Sequence, residues 1–199
     1  VERSRGLGDV YKRQGFLINE LDWNSKEINH KSGIVSKIFG NIKNINYEAK
    51  NIEIFKEDPT SELYGAFGYL SKLNLEKNKE GVKHVLSPKL FVRYAPGSMR
   101  KETNGFQLKV PNAFELDRIK TANNYETGLS SSLGFDYSMK KNEKKYDFSI
   151  AQIINEKENK KMHSKTGMDE KLSDLVGTAN LEFSDKLNLR YNFAIDQNY

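Results

Sequence analysis

Cysteine is absent from the 199-residue chain, which excludes a disulfide scaffold and any thiolate metal site. No apolar run approaches the ~18 residues of a transmembrane helix, so a helical membrane protein is excluded. Hydrophobic residues make up only 37% of the chain, less than a typical globular domain carries. Proline is scarce, at 4 residues, while aromatics reach 11%, a composition too aromatic for a disordered chain. Neither sign of charge dominates: 32 Lys and Arg stand against 27 Asp and Glu, a net charge of +5. Mean hydropathy is −0.74. A β-barrel survives these exclusions, because its strands alternate and average to a polar value.

What the sequence does have is period-two alternation. From Tyr125 the odd positions read Tyr, Thr, Leu, Ser, Leu, Phe, Tyr, Met, while the even positions are small, polar or acidic. A helix would scatter these residues around its circumference. At about 3.3 Å per residue such a strand runs to roughly 50 Å, long for a globular domain. The same pattern recurs at Tyr146, Phe148 and Ile150, at Leu175 to Phe183, and at Leu187, Leu189, Tyr191, Phe193 and Ile195. Strands are expected over 41–55, 62–75, 85–95, 125–139, 145–154, 174–183 and 187–195, with a weaker first strand from Phe16 to Trp23. The stretch from Ile34 to Ile54 reads as extended, but its apolar parity shifts near Lys43. A bulge or a second strand is expected there.

The connections alternate between short turns and long polar loops, as in an outer-membrane barrel. About eight strands fit, as an all-β antiparallel meander forming part of a large barrel. On the alternation alone a soluble β-sandwich binding module and a porin-like diffusion channel remain open. Strand length, aromatics at strand ends and long loops confined to alternate connections favour the membrane form. The odd face of the 125–139 strand, with Leu129, Leu133 and Phe135, is expected to point outward together with Leu189, Tyr191 and Phe193. Glu126, Ser130, Asp136, Arg190 and Asn192 then face inward. The opening VERSRGLGDVYKRQ does not match the rest in composition. Residues 1–14 are expected to be a non-native or disordered leader without strand pairing, and 15–199 the barrel part.

No enzyme constellation stands out, and no cofactor or metal is expected. His30, His84 and His163 lack ligand spacing. Ser130 to Ser132 sits in no nucleophile elbow. Asp117-Arg118 reads as a loop ion pair, and Lys140, Lys141, Lys144 and Lys145 as a solvated turn. Those lysines lie apart from the aromatic faces, which argues against a nucleic-acid groove. Gly128 and Gly134, on the polar face, are expected to relieve crowding or allow strand curvature.

Several segments resemble one family. GNIKNINYEAKN from Gly40 is similar to the "lkN.nYea" segment of the LptD family of lipopolysaccharide-assembly proteins, also called organic solvent tolerance proteins. Glu62-Leu63-Tyr64-Gly65-Ala66 with Tyr69 resembles that family's next strand. LSPKLFVRYAP from Leu86 resembles its "L.PKl..RY.P" signature, the most specific match, and Asn112 to Arg118 with Tyr125 to Leu129 resembles its "F..dR…E.G" stretch. The resemblance spans 15–199 and implies a slice of the C-terminal barrel domain, in the outer membrane of a Gram-negative bacterium. It implies a non-catalytic transport role, placing lipopolysaccharide in the outer leaflet. The implied partners are lipopolysaccharide, outer-membrane lipid, a plug lipoprotein of the LptE type, and a periplasmic bridge protein of the LptA type bound through an N-terminal domain. Lys89, Arg93 and Arg190 fall on the polar face. They are candidate contacts for the anionic groups of lipopolysaccharide; pairing with acidic neighbours across the lumen is the equal alternative.

Overall fold

A computed structural model describes residues 13–50, 52, 55–184 and 186–196. The strands are β1 (Arg13–Asn24), β2 (Ile28–Asn29), β3 (Ile34–Lys50), β4 (Thr60–Leu73), β5 (Leu75–Lys79), β6 (Val82–Ala95), β7 (Gly128–Lys141), β8 (Lys144–Asn155), β9 (Leu175–Ser184) and β10 (Leu187–Ile195). All ten join one antiparallel sheet in the order β1-β3-β4-β6-β7-β8-β9-β10, with β2 against β3 and β5 against β6. Because β2 and β5 share their pairing partners with β1 and β4, the sheet has eight lanes. It is an open meander with β1 and β10 at its edges, as part of a barrel would be. The only helical pieces among the described residues are two 3₁₀ turns, Asn112–Phe114 and Ser164–Thr166.

The short turns lie at one end of the sheet and the long connections at the other. Glu80 and Gly81 both take positive φ, 51° and 77°, the two-residue turn whose twist matches paired strands. Asn142 turns the β7–β8 hairpin with φ 54°. Residues 55–59, 96–127 and 156–174 lie at the opposite end. β3 has 17 residues, about 55 Å at 3.3 Å each, longer than the 9–11 residues that cross a bilayer.

Each strand divides its residues between two faces. On the open face the register aligns Phe67, Tyr94 and Leu129 in one row, and Leu86, Tyr137, Phe148, Ala179 and Tyr191 in another. Leu63, Phe67 and Tyr191 there are more than 60% exposed. Rings meet across strands, Phe135 with Phe148 at 5.9 Å and Phe148 with Phe193 at 6.4 Å. The expected outward set shares this face, and Ser130, Asp136, Arg190 and Asn192 lie on the other.

The other face is covered by 96–127 and 156–174, and the core lies there. One cluster gathers Ile45, Tyr47, Tyr64, Phe91, Leu116 and Tyr125; a second gathers Met99, Leu108, Ile119, Ile153, Met168 and Val176. Gly134 allows a close backbone approach on this face: a Cβ there would lie 2.2 Å from the Ile150 carbonyl oxygen and 3.0 Å from the Phe114 ring.

Four expectations need correction. β3 pairs without a register shift along both β1 and β4, so no bulge or second strand occurs at Lys43. The apolar parity changes because Ile38 and Ile42 serve the open face while Ile45, Tyr47 and Ala49 serve the covered core. Arg13 and Gln14 pair with Lys50 and Ala49, so the leader boundary at 14 cuts into β1; residues 1–12 lie outside the described residues. The strand expected from Tyr125 begins at Gly128, because Tyr125 and Glu126 are drawn under the covering loop. The strand expected to reach Phe55 ends at Lys50, and Phe55 bends back, its N–H donating to the Ile52 carbonyl at 3.1 Å.

Candidate functional site: the covered face and its strap

Residues 96–127 act as a strap across β3, β4, β6 and β7. The sheet supplies cations, and the strap supplies most of the groups that accept from them. Lys43 of β3 donates to the Thr121 carbonyl at 2.8 Å and pairs with Asp117 at 3.3 Å. Arg93 of β6, 1% exposed, donates from Nε to the Leu116 carbonyl at 2.5 Å and from Nη2 to the Glu126 carbonyl. Its guanidinium lies 5.6 Å from the Tyr125 ring centroid. Ser132 of β7 donates to the Ala113 carbonyl at 2.5 Å.

Within the strap, Arg118 meets Glu126 with one edge of its guanidinium, Nε donating to Oε2 at 2.7 Å and Nη2 to Oε1. Nη2 also donates to the Ser130 hydroxyl at 2.8 Å. Nearer the loop end, Arg100 pairs with Glu62 and lies over the rings of Tyr47 and Phe55 at 4.7 and 4.8 Å. Glu62 also accepts from the hydroxyls of Tyr64 and Tyr47 at 2.8 and 3.2 Å.

These pairings set the ionisation of the strap. Burial raises the Glu126 carboxyl, but Arg118 and Arg93 outweigh it and hold the group below its usual range. For Asp117 the balance reverses: burial pushes the carboxyl up, and Lys43 only partly opposes it. Burial also raises the Tyr125 phenol.

Of the three expected contact residues, two are engaged and one is exposed. Lys89 pairs with Asp136 at 2.8 Å and lies 4.3 Å from the Phe114 ring centroid, so it already has an acidic neighbour. Arg93 is enclosed by the strap, and Arg190 is exposed on β10. The structure does not bring the three together. Asp117 and Arg118 do not form the expected pair with each other; each turns to a different partner, Lys43 and Glu126. Sequence reasoning missed Lys43, Arg118 and Glu126 as one framework, because the contacts that tie Lys43 to the strap bridge up to 81 positions. The visible signal was Glu126, an acidic residue at a polar position of the alternation that runs from Tyr125.

Between the strap and residues 156–174 lies a cavity of about 690 Å³, bounded by Glu126 and Ser130. A second, of about 560 Å³, lies between β1, β3 and the strap near Glu20, Asp22 and Asp117. The framework that carries these sites corresponds to a known family: the family model described as LPS transport system D matches residues 43–198. The chain belongs to the LptD family. No curated protein matches the chain. LptD proteins transport lipopolysaccharide and serve outer-membrane assembly, and the family is one of transporters in the outer membrane. An antiparallel sheet with one open apolar face and one covered polar face is what an LptD barrel requires of its wall. The motif LSPKLFVRYAP is placed accordingly: Pro88 and Leu90 belong to the open side, while Lys89, Phe91 and Arg93 anchor the strap.

Proposed function

We propose that this chain is part of the outer-membrane translocon that assembles lipopolysaccharide into the outer leaflet, acting as a non-catalytic transport wall in a Gram-negative bacterium. The observation that carries the reading is the division of faces. Soluble monomers rarely expose contiguous apolar patches beyond a few hundred Å², whereas here apolar rows cross the sheet unprotected. In lipid that face is at home, since neighbouring strands hydrogen-bond to one another across the sheet.

On this reading the acyl chains stay with the membrane, and the sugar and phosphate head passes along the covered side. Arg190 and Lys89 are the contacts offered to its anionic groups, and Arg93 joins them only where the strap lifts. A plug lipoprotein of the LptE type inside the barrel and a periplasmic bridge of the LptA type are the partners that complete the path. Depleting the protein that carries this chain in its own host should lower lipopolysaccharide at the cell surface, read by surface labelling. Unchanged surface lipopolysaccharide with slowed uptake of small solutes would support a diffusion channel instead.

A further inference from the structure

The chain holds a single Asn-Gly pair, Asn104-Gly105, in the strap. Both residues are exposed and lie outside any strand or turn. The segment around them is an arch pinned at each end to residues 156–174. The Glu102 N–H donates to the Lys161 carbonyl at 2.7 Å, and the Leu108 N–H to the Thr166 carbonyl at 3.1 Å. Between the pins the Asn104 N–H donates to Glu102 Oε1 at 2.9 Å. Among the described residues nothing accepts from the Gly105 N–H, and nothing holds the Asn104 side-chain amide.

An asparagine side chain is open to attack by the main-chain nitrogen that follows it. The attack needs that nitrogen unbonded, the side chain free to swing, and no Cβ in the way, which only glycine provides. Asn104-Gly105 meets all three conditions. Two other pairs have followers that favour the same ring closure in a free chain, Asn24-Ser25 and Asn29-His30. The fold ties both: the Ser25 N–H donates to the Ile38 carbonyl at 2.9 Å, and the His30 N–H to the Ile34 carbonyl at 2.8 Å.

We propose that Asn104 is a site of spontaneous deamidation, and that the modification loosens the strap. The Gly105 nitrogen bonds to the Asn104 Cγ, the Cγ–Nδ2 bond breaks, and the nitrogen's proton leaves with the amide as ammonia. The cyclic imide then takes up one water. Opening at Cγ leaves an aspartate. Opening at the main-chain carbonyl leaves an isoaspartate, whose main chain is one atom longer. Either product places a negative charge two residues from Glu102, which is 3% exposed and accepts from Asn124 Nδ2 at 3.0 Å. The like charge and the longer chain both work against the pinned arch.

The test incubates the folded full-length protein in mildly alkaline oxygen-18 water. Peptide mass spectrometry then maps the heavy oxygen, with fragmentation that separates aspartate from isoaspartate. Label is expected at position 104 several-fold ahead of positions 24 and 29, as both products, and Asn104→Gln should abolish it there. In urea the gap between the sites should narrow; a gap that urea leaves unchanged overturns the part played by the fold. Label no faster at 104 than at 24 in the folded protein overturns the proposal. So does aspartate alone, the product of direct hydrolysis. Aged protein should exchange the Glu102 and Leu108 amide hydrogens several-fold faster than fresh protein. Exchange that ageing leaves unchanged, or hastens equally in Asn104→Gln, overturns the link to the strap.

Discussion

Arg118 closes on Glu126 within a single loop, eight residues apart, and the pair sits on the Ser130 hydroxyl of β7. This clasp fixes the strap to the sheet. Removing one partner leaves a buried charge, so Glu126→Leu or Arg118→Met should each cost about 3–5 kcal/mol, and the double variant less than the sum. The midpoint of urea unfolding, followed by gel mobility of the folded form, measures this.

Acid should loosen the strap through Glu126 and not through Asp117. The folded-state pKa of Glu126 lies below its ordinary value. Its stabilisation is therefore complete above the usual carboxylate range and is lost as pH falls through the depressed value. Asp117 has the opposite sign: its pKa is raised, so its contribution is greatest in acid and shrinks as pH rises through the raised value. Unfolding midpoints followed from pH 7 downward should fall in the parent and in Asp117→Asn. In Glu126→Gln the slope should flatten, from a lower starting stability.

Two glycines should respond differently to alanine. A Cβ on Gly134 meets a backbone carbonyl, whereas one on Gly177 meets only the end of the Phe193 ring. A ring can rotate away and a paired backbone cannot. Gly134→Ala should lose about 1–3 kcal/mol, within the range for overpacking, and Gly177→Ala less. Equal losses in denaturant unfolding would show that the Phe193 ring is as fixed as the backbone.

The strap can be watched directly. The chain has no cysteine, and Ser132 is 1% exposed beneath residue 113. A single Ser132→Cys thiol should react slowly with a polar maleimide in the folded protein. Adding Lys43→Met, which removes the tie to Asp117 and Thr121, should speed the reaction several-fold, because exchange through an opened state follows the opening free energy. Unaltered labelling would mean that Lys43 does not hold the strap.

Most of the sheet was legible because alternation is a local signal: β7 through β10 follow from sequence within a few residues. The strap was not. Tyr125 and Glu126 continue the alternation of β7, yet burial against Tyr64 and Arg118 takes them out of the strand. Parity at Lys43 misled for the same reason: apolar residues on a barrel wall serve lipid in one stretch and a covering loop in the next, and a reading of one strand cannot tell them apart. Asp117 and Arg118 stand side by side in sequence, but their partners are set by the fold. Lys89, Arg93 and Arg190 share the polar face as expected. Their different fates come from what covers that face, which no period reports.

An arginine placed on the open face should be penalised more than one beside it. Leu189 is about half exposed on the open side of β10, and Asn188 points the other way. Leu189→Arg should impair membrane assembly by about 2–4 kcal/mol if near mid-bilayer, and Asn188→Arg much less, read from the folded fraction recovered in outer membranes.

The most direct measurement of the central claim is the accessibility of nitroxide labels on single cysteines at Leu133, Leu189 and Arg190 of the full-length protein in lipid bilayers. Labels at Leu133 and Leu189 should relax strongly with oxygen and weakly with a water-soluble nickel complex, as lipid-facing sites do. The label at Arg190 should show the reverse. Nickel access at Leu133 and Leu189 equal to that at Arg190 would place the apolar face out of the membrane and contradict the account.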